Sequence, residues 1–397
     1  MKKFARLLEK EFKRIFTNRV VMLVFFGAPL LYGLLFVHMY EKGKITEMPV
    51  LIVDEDHSPL SAKFIDALDD NENLLVADIR FQKANLSSEM PSKEYVSVIS
   101  IPDGFESAVL QKRYPELQVD MNLTNLVTAN FATRAIQTVM STLSAGMEME
   151  TLKKTGIAPA YAAQLYEPFK VSYNRLYNPA GNYKELMMPG ILGTVMQQVL
   201  FLALALVFAR DFEDDYFRKL VEASRWAVYH LLLKITPFVL LSALLWLVIG
   251  MFFPLFKIGM PVFTIPMLAL VVLFNLACMC MGMLFSLILP SQLKATEFLM
   301  VLATPSFLLS GYTWPTEAMP VVVQRFADLI PLTHFLHGFR KAAVYGGMLQ
   351  DIAYQLWALG LIALVCLLLT LVMLQWKINR VRRKKKPLHT IALSESC

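Results

Sequence analysis

The sequence predicts a polytopic α-helical membrane protein with six spans, an α/β extracytoplasmic domain between spans one and two, and a re-entrant helical hairpin after span five. Three observations carry that prediction. Of 397 residues, 56% are hydrophobic and only 18% charged, and several apolar runs approach or exceed the ~18 residues that mark a membrane helix. Between residues 40 and 187 the character changes to that of a soluble domain. The charge is also unevenly placed. Residues 1–19 carry seven Lys or Arg against two Glu, and the tail from Lys377 has a net charge of +6, whereas residues 40–187 hold 14 basic and 20 acidic side chains. Short basic flanks stay cytoplasmic, while a long domain crosses largely regardless of its charge. Both termini are therefore expected inside and the domain outside, which requires an even number of spans. The overall charge of +6 reads as this membrane asymmetry and not as a nucleic-acid signature.

Taken in order, residues 1–19 set Phe4, Leu7, Leu8, Phe12, Ile15 and Phe16 at helical spacing among basic residues. That is the pattern of an amphipathic helix lying along a membrane surface. Residues 20–38 form the first span, expected to remain as an anchor because no small-residue cleavage site follows. Within the domain at 40–187, residues 50–53 read as a buried strand, and Asp54, Glu55, Asp56 and His57 as the turn leaving it. Ser58 and Pro59 suit the N-cap and first position of a helix reaching about Leu68. Further strands are expected at 74–81, 95–101 and 117–121, with a short helix after Gly104. A long helix capped by Thr124 or Asn125 should run to Lys154, with Phe131, Ala135, Val139, Leu143 and Met147 on one face. The acidic turn is read as solvated, since no second cluster accompanies it to make a metal or acid–base centre.

The second span, residues 189–209, carries Gln197 and Gln198 near its middle. Adjacent amides in lipid need a partner helix or a wet cavity, so a structural hydrogen bond and the lining of a path both stand open. Residues 210–226 are strongly charged and belong in a cytoplasmic loop. Span three covers 235–256, with Lys234 at its cytoplasmic end and able to snorkel. Span four covers 262–289, with Asn275 its single amide. Glu297 is read as a boundary residue at the start of span five, 297–314. Cys278, Cys280 and Cys366 lie in apolar runs and read as small hydrophobes, and no disulfide framework is implied.

Span five ends at Ser310-Gly311, with Tyr312 and Trp314 of the kind that settles at a lipid–water boundary. After Pro320, the residues Val322, Phe326, Leu329 and Ile330 share a helical face. After Pro331, Leu332, Phe335, Leu336 and Phe339 make a second apolar stripe, with His334, His337, Arg340 and Lys341 off it. At ~1.5 Å per residue neither segment reaches across a ~30 Å hydrocarbon core. Residues 315–347 are therefore read as re-entrant or interfacial helices, 352–376 as span six, and 377–397 as a basic cytoplasmic tail reinforced by anionic lipid.

The succession of a proline and aliphatics, Ser310-Gly311, an aromatic, Pro315, Met319-Pro320, Pro331-Leu332-Thr333, Arg340 and Tyr345-Gly346-Gly347 resembles the membrane subunit of a type-2 ABC exporter. The resemblance implies a dimer with a second permease subunit, identical or paralogous, in a bacterial inner membrane. Spans two and five would face each other around a translocation path, to which Gln197, Gln198, Phe201, Leu308, Ser310 and Gly311 are assigned. Two separate cytoplasmic ATPase subunits would hold ATP and Mg, this chain binding neither metal nor cofactor. The loop at 210–226 would dock on the ATPase through Asp211, Glu213, Asp214, Asp215, Phe217 and Leu220. It departs from the family pattern, in which a Glu-rich segment, a Gly-Thr and a leucine run ending in proline are usual. Here Asp215-Tyr216-Phe217 stands in place of Gly-Thr, and Leu220-Val221 keeps part of the apolar ridge. Bacterial relatives with so large an outer domain often work with a periplasmic adaptor and an outer-membrane channel, which are expected partners here.

Catalytic motifs are missing from the sequence. It contains no Gly-x-x-x-x-Gly-Lys-Ser/Thr run, no His-Glu-x-x-His and no Gly-x-Ser-x-Gly, so the energy for transport would come from another chain. His334 and His337 read as a polar helix face. The alternative function is a membrane-anchored receptor or assembly factor whose outer domain binds a ligand or partner. A secondary carrier would bury more ionisable residues and show an internal repeat. The half-polar re-entrant stretch and the intramembrane amides favour transport over anchoring.

Overall fold

The structure, a computed structural model, describes residues 2–82, 95–111, 113, 115–154, 176–179, 181–289 and 291–384. The chain divides into two compact units, one formed by Met1–Gly43 with Leu176–Cys397 and the other by Lys44–Arg175. The first unit opens with α1 (Lys2–Thr17), which is amphipathic as its spacing predicts, followed by α2 (Arg19–Met22), a π-helical turn at Leu23–Gly27, and α3 (Ala28–Met39). The π turn interrupts the expected first span, so that span is not one continuous α-helix.

The unit Lys44–Arg175 holds β1 (Met48–Asp54), α4 (Pro59–Asp69), β2 (Leu74–Arg80), β3 (Ser97–Ile101), α5 (Phe105–Leu110), β4 (Gln118–Met121) and α6 (Leu126–Lys154). The strands form one sheet in the order β2-β1-β3-β4, with β1 parallel to β2 and β3, and β4 antiparallel to β3. Period-2 alternation sends Met48, Val50, Ile52, Ile99 and Ile101 to the face packed with Phe64 and Leu68 of α4 and Ala132 and Ile136 of α6. Leu51, Val53 and Val98 are buried on the opposite face. Ser58 and Ser61 make a reciprocal capping box at the start of α4. Asn125, not Thr124, caps α6, its side-chain oxygen accepting from Val127 and Thr128 N–H groups at 3.0 and 3.3 Å.

The acidic turn after β1 is occupied with its own backbone. Asp54 accepts from Asp56 and His57 N–H groups and from the Ser61 hydroxyl at 2.7 Å, and Asp56 accepts from the Glu106 N–H at 3.0 Å. Slight burial opposes the charge on Asp56, but its hydrogen bonds with Ser58 and Glu106 outweigh that and hold its carboxyl below the usual range.

The first unit resumes with α7 (Tyr183–Glu213), α8 (Tyr216–Ala223), α9 (Ala227–Leu255), α10 (Ile265–Ile288), α11 (Gln292–Ala303), α12 (Ser306–Leu309), α13 (Val321–Ala327), α14 (Pro331–Phe339) and α15 (Ala353–Lys384). Among the described residues four helices are long and apolar enough to cross a membrane: α7, α9, α10 and α15. Caps fix several starts, with Asn182 accepting from Lys184 N–H, Thr264 from Met267 N–H and Ser291 from Lys294 N–H. The apolar α10 packs chiefly against α7 and α15. A side chain on Gly282 would come within 2.7 Å of Leu204 Cβ, so glycine there sets how closely α7 and α10 approach. Ser286 of α10 inserts into the backbone ladder of α7. Its hydroxyl donates to the Ala205 carbonyl at 2.6 Å and accepts from the Phe208 and Ala209 N–H groups at 3.0 Å.

Several boundaries differ from expectation. α7 continues past residue 209 to Glu213, because Arg210 and Asp211 are held at its end by charge. α9 starts at Ala227 and so takes Lys234 into the packed bundle, where it does not snorkel. The segment 297–314 is two helices, α11 and α12, divided at Pro305, whose ring removes a donor and crowds the preceding turn. Of the apolar face expected after Pro320, only Ile330 is buried; Val322, Phe326 and Leu329 remain exposed within this chain.

Candidate functional site

Two assemblies of side chains are built on opposite ends of α7. At its C-terminal end, Lys234 Nζ of α9 lies 2.5 Å from Asp211 Oδ2 and 2.8 Å from Glu11 Oε2 of α1. Arg14 Nη1 lies 2.6 Å from Asp211 Oδ1 and 3.7 Å from Glu11 Oε1, while its Nη2 reaches Asp214 at 3.4 Å. Lys234 and Asp211 are 3% and 0% exposed, so the quartet of two cations and two anions balances charge where an unpaired ion would be costly. The Tyr216 ring of α8 covers it, with the Arg14 guanidinium 4.2 Å from the ring centre. Burial opposes the charge on Arg14, but the Asp211 carboxylate outweighs it and raises the guanidinium pKa. Burial and then the Glu11 charge raise that of the Tyr216 phenol. Four helices, α1, α7, α8 and α9, are thereby tied at one point.

The geometry divides the residues expected to dock on an ATPase. Asp211 belongs to α7 and is enclosed in the quartet. Phe217 and Leu220 are buried too, Phe217 lying 4.9 Å from the Phe212 ring, so the apolar ridge of α8 faces its own bundle. Glu213, Asp214 and Asp215 are exposed. Glu213 accepts from the N–H of Gln292 at 2.8 Å, and Asp215 pairs with Arg218 at 3.1 Å.

At the other end, α14 sits against Gly193 and Gln197 of α7, while Gly190 makes room for α12 and Tyr312. A Cβ on Gly193 would meet the Phe335 ring at 2.9 Å, and one on Gly190 would meet Phe307 at 2.6 Å and Tyr312 at 2.8 Å. Gln197 Oε1 accepts from the Leu332 N–H at 3.0 Å, satisfying one of the free donors at the start of α14. Ser310 is buried, its hydroxyl donating to the Phe307 carbonyl at 2.6 Å and accepting from the Tyr312 N–H at 3.3 Å. Gly311 turns the chain in the left-handed region at φ 76°. The Tyr312 hydroxyl donates to the Leu186 carbonyl of α7 at 2.7 Å, and Arg340 Nη2 donates to the Tyr312 carbonyl at 3.3 Å. His334 pairs with the Asp328 carbonyl at 2.8 Å.

The six residues assigned to a path therefore separate. Gln197, Phe201, Ser310 and Gly311 are buried within this chain, whereas Leu308 is exposed and Gln198 partly so. Gln198 belongs to a partly exposed stripe of α7 with Ile191, Thr194, Leu202 and Leu206, at the i, i+3, i+4 spacing of one helix face. Sequence reasoning missed Gly190 and Gly193. Their signal was the presence of two glycines ahead of Gln197 in an apolar span, small residues of the kind that allow close helix approach in membranes.

The site is thus built on a membrane helix bundle, with short broken helices seated on one long span and a charge-locked short helix beyond the other end of that span. Residues 19–372 match the family model described as "ABC-2 family transporter protein"; the chain belongs to that family and is a permease subunit of an ABC exporter. It is similar to the probable multidrug ABC transporter permease YbhS of Escherichia coli K12, with 24% identity over 75% of this chain and 74% of the relative. The inner membrane transport permease YhhJ of the same strain is 24% identical over 77% and 79%. The linearmycin resistance permease protein LnrN of Bacillus subtilis 168 is 24% identical over 89% and 94%.

Proposed function

We propose that this permease pairs with a second copy or a paralogue along the open stripe of α7 and the exposed face of α11 and α12, which holds Val301, Thr304 and Leu308. A substrate passes outward between the two subunits, driven by separate cytoplasmic ATPase subunits that bind ATP and Mg. The observation that supports this most is α7 itself. One end is locked to α1, α8 and α9, the other seats α14, and Ile191, Thr194, Gln198 and Leu202 are only partly buried among the described residues. A push on α8 is thereby delivered to the helix beside the path. In this reading both termini and α8 are cytoplasmic in a bacterial inner membrane, and Lys44–Arg175 stands outside, available to a periplasmic adaptor leading to an outer-membrane channel.

Purification from native membranes in lipid nanodiscs tests the assembly. The expected result is a stoichiometric ATPase, two permease subunits, and disulfide cross-linking between subunits through cysteines placed at Gln198 and Leu308. Recovery with a signalling protein and no ATPase would replace this reading with that of a membrane-anchored receptor.

A further inference from the structure

α9 and α10 are adjacent in sequence yet touch little, and a cavity of about 500 Å³ lies between them. Its walls include Trp246 and Phe253 of α9, Val271 and Asn275 of α10, and Phe335 and Phe339 of α14. Phe335 closes the back, stacked on Phe274 with ring centres 4.3 Å apart and 5.5 Å from Trp246. The mouth is rimmed by Leu247, Leu268 and Val272, all more than half exposed on membrane-spanning helices, so it opens sideways to hydrocarbon. The volume falls within the ~300–1,000 Å³ of small-molecule sites.

The polar side-chain groups among the lining residues are Asn275, the Trp246 N–H bonded to it, and the Thr264 hydroxyl, which is occupied in capping the start of α10. Asn275 is 9% exposed, and its Oδ1 accepts from Trp246 Nε1 at 2.9 Å. Its Nδ2 makes no hydrogen bond among the described residues. A buried water needs two to four polar partners, more than this wall supplies. Asn275 lies ten residues into α10, roughly 15 Å along its axis and near the bilayer midplane. The ester oxygens of a bilayer lipid sit at the interface and do not reach it, so an acyl chain would leave the donor unmet. A charged group at that depth would be costly.

We propose that this cavity binds an uncharged lipophilic molecule of drug size whose buried end carries a carbonyl, ether or hydroxyl oxygen that accepts a hydrogen bond from Asn275 Nδ2. The site lies inside one subunit. It touches Leu192 of α7, away from the stripe with Gln198, and is independent of the path proposed above. Because Phe335 also fills the space over Gly193, an occupant presses α14 onto α7 and stabilises that seat.

Benzophenone is a suitable probe, being an uncharged diaryl ketone that photolabels neighbouring C–H bonds from its own carbonyl. In the whole protein in nanodiscs, labelling is expected to saturate, to map to Val271 and Val272, one turn from Asn275, and to be accompanied by a rise in Tm. Diphenylmethane, which lacks the oxygen, should compete poorly. Asn275→Leu should raise the half-saturating concentration by roughly three- to tenfold, the worth of one hydrogen bond. Ala243→Trp, which fills the cavity, should abolish saturable labelling while the Tm is retained. Labelling that rises linearly and falls equally on the lipid-facing Leu364 and Leu368 of α15 overturns the proposal. So does labelling of the cavity by a lipid with a mid-chain diazirine that benzophenone does not displace, since the occupant is then an acyl chain. If either variant fails to fold, the saturation and mapping in the unsubstituted protein decide.

Discussion

Gly311 shows how a single position is constrained twice. Its φ of 76° is one that side chains adopt at a cost of ~1–3 kcal/mol. An added Cβ would also stand 2.5 Å from Thr316 Cγ2 and 2.8 Å from His337 Nε2. A helix cap alone would accept Gly311→Asn, because asparagine tolerates the left-handed region; the crowding removes that tolerance. Both Gly311→Asn and Gly311→Leu are expected to lose efflux in reconstituted protein, with the leucine variant also lower in Tm. Normal efflux in a stable Gly311→Leu complex would mean that the bend can absorb the added side chain without disturbing transport. Lys234 offers a second test. Lys234→Met leaves Asp211 and Glu11 under-compensated in a buried place and should cost ~3–5 kcal/mol. Adding Asp211→Leu should restore much of that loss, since the pair is then removed together. A double variant no more stable than the single one would mean the quartet is not a coupled unit.

At the scale of elements, α8 divides into an inner ridge and an outer rim. Phe217, Leu220 and Val221 are buried, and Arg382 of α15 donates to the Val221 carbonyl at 3.0 Å, so the helix is clamped to its own subunit. What remains for a partner is the rim with Asp214 and Asp215. Asp214→Asn combined with Asp215→Asn should weaken ATPase recruitment by roughly tenfold, ~1.4 kcal/mol, with only a small fall in Tm from the lost contacts of Asp214 with Arg14 and Arg210. Asparagine is chosen at 215 because that residue has a φ of 55°. Unchanged affinity in a pull-down titration would move the dock elsewhere. The sequence could not separate ridge from rim. The partners of Asp211 lie far away in the chain, Arg14 by 197 positions, and a run of charges looks the same whether it meets water or a distant lysine. The proline-opened α13 and α14, the Ser58 cap of α4 and the middle of β1 were legible because each is decided by residues within a few positions, whereas the reciprocal Ser61 bond of the cap and the start of β1 at Met48 were not read. The seat of α14 was not, because Gly193 and Phe335 meet only through folding.

For the whole molecule, the charge asymmetry makes a prediction about sidedness. In a variant without native cysteines, a cysteine at Asp70, exposed at the end of α4, should react in intact cells with a membrane-impermeant thiol reagent. One at Asp214 should react only after permeabilisation. Labelling of Asp214 from outside would invert the arrangement and with it the placement of the ATPase. The number of continuous apolar helices was less legible than their presence. Composition reports how much of the chain sits in lipid but not which prolines interrupt a helix: Pro305 divides α11 from α12, whereas Pro189 and Pro237 lie inside α7 and α9.

The hydroxyl of Ser286 gives α7 a mechanical property of its own. A span with an undisturbed ladder behaves as one rod, so a tilt imposed at its charged end reappears at the far end as the same tilt. Around Ala205, Phe208 and Ala209 the rod instead shares its hydrogen bonds with a neighbour, which makes that point an elbow whose stiffness is set by α10. Ser286→Ala should close the ladder and slow amide exchange at Phe208 and Ala209. With the elbow stiffened, ATP hydrolysis should continue while less of each stroke arrives as movement of α14, separating turnover from export in one subunit.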